Sequence, residues 1–236
     1  MIEIIPNKVD SAFLYFHSPC SCGDEMAPFV EEMSKSLSHT YLWAGDGCIE
    51  GQHDDPVIGN TVSYAVGRQR YWFVFPMHGR SREDFVNETE AVGAILATSG
   101  GYANRIADQV MARFRLPASR IVLCGHQHGS CVALAAAMMR RCDPFALTLL
   151  FDPWPLETLY LAHERQLPPT KVVCIDNQWV RERERQRGEE TPLYQVFQRY
   201  GICCAGVTLA EGQGRPDEFM FREAARQMKA LYEICA

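Results

Sequence analysis

Arg120–Ser130 reads RIVLCGHQHGS, and this stretch decides the fold. Ile121–Cys124 is a short apolar run, the pattern of a strand covered on both faces. It passes through Gly125-His126-Gln127-His128-Gly129 into CVALAAAMM (Cys131–Met139), a run of small and apolar side chains with helical character. A strand, two glycines bracketing a short turn, then a helix is the layout of the G-x-S-x-G elbow. The glycines are required because the turn is tight and brings strand and helix backbones close together. At the position the elbow reserves for a nucleophile, this chain carries Gln127. A carboxamide has no ionisable proton and cannot form an acyl intermediate as Ser or Cys would.

Outward from the elbow the same alternation continues. Ala12–Phe16, Thr40–Trp43, Tyr71–Phe75, Leu147–Phe151, Lys171–Ile175 and Gly206–Leu209 read as further strands. Glu25–Ser38, Glu83–Ala97, Tyr102–Phe114, Ser130–Arg141, Thr191–Tyr200 and Asp217–Cys235 have helical length and period. Alternating strands and helices predict a single α/β domain over residues 1–236 with a mostly parallel sheet. Gly45–Asn60 reads as a loop near the strand ends, and Arg181–Glu190 (RERERQRGEE) as a solvated face laced with ion pairs.

Composition fits a globular chain of this class. The 236 residues are 47% hydrophobic and 22% charged, enough to build a core without disulfide staples. A net charge of −6 argues against a nucleic-acid partner, which favours a basic face. No apolar run reaches the roughly 18 residues of a membrane span. The start, MIEIIPNKVD, lacks the charged and apolar regions of a signal peptide. Cys124, Cys131 and Cys174 fall in apolar segments and read as buried free thiols, so a cytoplasmic setting is expected.

Four segments in order resemble the phospholipase/carboxylesterase family of α/β-hydrolases, which includes the acyl-protein thioesterases. Phe16–Asp24 (FHSPCSCGD) is similar to the family's H-G-x-G-x-x-G-D loop, and Leu116–Ala135 to its strand and elbow. Leu150–Leu156 (LFDPWPL) resembles the segment after the next strand. Ala210–Gly214 (AEGQG) resembles the loop that carries the histidine. The resemblance implies an α/β-hydrolase fold and an ester or thioester hydrolase, with the triad on Gln127, Trp179 and Arg215. Asp176 lies just before the acid position, and a slip of register moves the base position to Gln213. Neither change restores a histidine, because the last one in the chain is His163. The family's oxyanion donors fall on His128 and on Pro19, and proline has no N–H to give. No cofactor is implied.

The remaining candidates each carry a functional and a structural reading. His126 and His128 flank Gln127, but an elbow points them apart, which favours structural histidines over a metal site completed by Cys124 or Asp152. Ser130 and Cys131 occupy the first turn of the next helix, where a thiol pKa is lowered. Cys131 also belongs to an apolar stripe with Leu134 and Ala135. Asp152 reads as a loop cap beside the pocket. Cys20-Ser21-Cys22 has no second pair at zinc-like spacing, and Asp46, His53, Asp54 and Asp55 read as a solvated loop. No metal is expected.

Two functions follow. The first is a pseudo-hydrolase that binds a protein partner or an apolar acyl ligand in a pocket lined by Phe16, His128, Trp154 and Trp179. The second is a working hydrolase with a rebuilt site using Cys131, Ser130 or a water activated near Asp152. The first needs only losses, all visible in the sequence; the second needs gains.

Overall fold

Ser11–Phe16 (SAFLYF) is buried at every position, as only a strand covered on both faces can be. Ile121–His126 and Leu147–Phe151 are buried in the same way. These are β2, β4 and β5 of a sheet completed by β1 (Ile2–Ile4), β3 (Thr40–Gly45), β6 (Lys171–Asn177) and β7 (Cys204–Leu209). The computed structural model describes residues 2–16, 27–28, 31, 39–45, 88–126, 128–151, 153, 171–177, 204–209 and 222. Among them the sheet has seven strands in the order β1-β3-β2-β4-β5-β6-β7. Only β1 runs antiparallel to its neighbour; every other pairing is parallel.

Strands expected from the sequence at Ala12–Phe16, Thr40–Trp43, Ile121–Cys124, Leu147–Phe151, Lys171–Ile175 and Gly206–Leu209 all form, some a residue or two longer. The expected strand Tyr71–Phe75 lies outside the described residues, as do most of Glu25–Ser38 and all of Thr191–Tyr200. Of Asp217–Cys235 only Arg222 is described, and it is helical. The β1 strand was not foreseen. Its three residues are too short for a periodic signal, and it is fixed by tertiary contacts. Glu3 accepts hydrogen bonds from the Tyr41 hydroxyl (2.8 Å) on β3 and from Arg113 (2.7 Å).

Register sorts the side chains between two faces. Leu14 lies opposite Trp43 on one side and Leu123 on the other, so all three share a face. Ala12, Phe16, Tyr41 and Ile121 join them in one core cluster with two helices, α1 (Glu88–Phe114) and α2 (His128–Met139). Val132–Met138 of α2 is buried throughout, the signature of a helix covered on all sides.

Over the described residues, the two expected helices Glu83–Ala97 and Tyr102–Phe114 form one helix, Glu88–Phe114, with no break at Ser99-Gly100-Gly101. Gly100 is there for packing. A Cβ on it would lie 2.9 Å from Ala135 Cβ and 3.0 Å from the Ala135 backbone, so the missing side chain lets α1 approach α2. That contact offsets the roughly 1 kcal/mol helix cost of glycine.

The end of α1 is capped without glycine. Arg115 takes a left-handed φ of 56°, and the Leu116 N–H donates to the Met111 carbonyl at 3.1 Å. This is the six-to-one bond of a Schellman cap, with Leu116 and Met111 both packed against the core. A short 3-10 turn, Ala118–Arg120, then leads into β4.

The α2 helix begins and ends two residues earlier than the expected Ser130–Arg141. Just past its end, the Arg140 guanidinium pairs with Asp108, bonds Asn104 at 2.9 Å and Asp143 at 3.3 Å, and lies over Phe145. The Cys124 and Cys174 thiols are buried and outside disulfides, as expected, and Cys142 is a free thiol on the surface. Among the described residues no helix is long and apolar enough to cross a membrane.

Candidate functional site at the carboxyl edge of the sheet

Topology locates the site before any side chain does. From β2 the chain crosses to β3 on one side, then returns to β4 on the other. In open α/β sheets, connections that diverge in this way leave a crevice at the carboxyl ends of the two central strands. Here those ends meet at Phe16 and Gly125, which lie opposite each other in register. His17-Ser18-Pro19 follows the first and the elbow follows the second. Because β6 and β7 run parallel to β4, the chain also leaves them at this edge, at Asn177 and Leu209. In sequence, Trp179 lies two residues past the end of β6 and Arg215 six residues past the end of β7, whereas Asp176 lies within β6.

The elbow is tight. A Cβ on Gly125 would fall 2.2 Å from the Gly129 carbonyl carbon and oxygen and 2.5 Å from the Ser130 nitrogen. Only glycine fits at position 125, as the elbow pattern in the sequence requires. His126, the last residue of β4, is buried at 1% exposure and lies opposite Phe151 in register. It turns into the protein, as the elbow pattern predicts.

Ser130 is fully buried. Its Oγ donates to the Gly125 carbonyl at 2.6 Å and reaches the Phe151 carbonyl at 3.0 Å. One hydroxyl thus joins the end of β4, the first turn of α2 and the end of β5. Nothing in the sequence marked it for this role, though a small hydroxyl residue just past the second glycine is a usable signal in hindsight.

Phe16 ends β2 in the core cluster, fully buried, its ring edge-on to Trp43 at 5.7 Å between centroids. Pro19, Gln127, Asp152, Trp154, Trp179, Gln213 and Arg215 lie outside the described residues. So do the loop acids Asp46, Asp54 and Asp55, with His53 and the Cys20-Ser21-Cys22 stretch. His128 and Cys131 are placed in the first turn of α2, with their side chains outside that description. Among the described residues no group of three or more His, Cys, Asp or Glu could hold a metal ion.

This geometry is an α/β-hydrolase fold, and solved structures agree. Esterase PE8 is similar with a TM-score of 0.64 and 13% identity, covering 100% of this chain and 98% of its own. SOBER1 of Arabidopsis thaliana gives 0.55 at 16% identity, covering 94% of this chain and 100% of its own. The Bacillus cereus carboxylesterase gives 0.54 at 10% identity, with 100% and 93% covered. No protein-family model matches the chain, and no curated protein sequence matches it.

Proposed function

We propose that this chain is a catalytically degenerate esterase-like α/β-hydrolase that acts by binding a protein partner or an apolar acyl ligand at the carboxyl edge of its sheet. One observation carries the reading: Gly125 packs against Gly129 and Ser130 as a tight elbow requires, yet the sequence puts Gln127 where such an elbow carries its nucleophile. The absence of any histidine beyond His163 and the proline at position 19 support it, because base and oxyanion donor fail together with the nucleophile. The burial of the Ser130 hydroxyl, with its proton directed at two backbone carbonyls, also supports it, since such a hydroxyl is poorly disposed to attack.

A second reading, a carboxylesterase or thioesterase with a rebuilt site, draws on the placement of Cys131 in the first turn of α2. Helix N-termini lower thiol pKa values, which activates a cysteine. The two readings separate on purified protein treated with p-nitrophenyl acetate, a fluorophosphonate probe and iodoacetamide. The expected result is no burst, no fluorophosphonate label and, by peptide mapping, alkylation of Cys131 slower than that of the exposed Cys142. A hydrolytic burst abolished by Cys131→Ala would overturn the binding-protein reading.

A further inference from the structure

We draw no further inference here: the strongest candidate, the outer edge of β1 with the exposed Ile5 just beyond it, carries none because nothing in the structure shows what covers it.

Discussion

The hydroxyl of Ser130, in the first turn of α2, lies 3.0 Å from the last backbone carbonyl of β5, that of Phe151. Through this contact and the 2.6 Å bond to Gly125, one side chain fastens three elements where they converge. Ser130→Ala removes the one O–H that the two buried carbonyls share and should cost about 1–3 kcal/mol. Urea unfolding followed by far-UV circular dichroism measures it. A midpoint within error of the parent would mean that these bonds contribute nothing net.

Adjacent glycines in α1 should respond in opposite directions. Gly101 has nothing within 4 Å of a built Cβ, so Gly101→Ala should stabilise by about 0.5–1 kcal/mol through helix propensity and a less disordered unfolded chain. Gly100→Ala meets Ala135 at 2.9 Å and should destabilise by about 1–3 kcal/mol as the helices are forced apart. Thermal melts of the two variants, run side by side, decide it; a shift of the same sign in both would contradict the packing account.

Gly125→Ala is the harsher substitution. Its Cβ would meet backbone atoms at 2.2 Å, and neither strand nor helix yields as a flexible side chain does. The loss should exceed about 4 kcal/mol, placing it among the exceptional single substitutions. Little or no soluble protein is the expected outcome, and a well-expressed variant with parental Tm would refute the close approach.

High pH should weaken the β1 edge in a particular way. Burial, the hydrogen bond to Glu3 and the Glu3 charge together hold the Tyr41 phenol well above its ordinary range, with Arg113 opposing in part. A group whose pKa is raised by folding contributes stability below its unfolded pKa, near 10 for tyrosine, and loses it as pH climbs above that value. Stability should therefore fall above about pH 10. Tyr41→Phe should flatten that fall at the expense of about 0.5–1.5 kcal/mol at neutral pH. Denaturation midpoints of parent and variant across pH 8–11 provide the check, and parallel curves would rule out Tyr41 as the cause.

The sequence revealed the sheet more clearly than its fastenings. Continuous apolar runs such as Ala12–Phe16 and Leu147–Phe151 were readable because burial on both faces leaves no polar alternation to confuse them. The strand Ile2–Ile4 was not, since its partner Tyr41 and its tether Arg113 are distant in sequence. Ser99-Gly100-Gly101 looks like a helix break because local propensity says so; the override is a contact with Ala135 that no window of sequence contains. At the candidate site the elbow was legible from glycine spacing, and the inward turn of His126 from its place beside it. The triple anchoring by Ser130 was hidden, because it depends on where β5 ends.

The close contact at Gly125 has a further implication. Among the described residues, the contacts at the turn run between Gly125, Gly129 and Ser130, on either side of position 127. The scaffold therefore behaves like a socket whose fitting can be exchanged. A reactive group can leave such a position, or be installed there by design, while the turn that presents it keeps its shape.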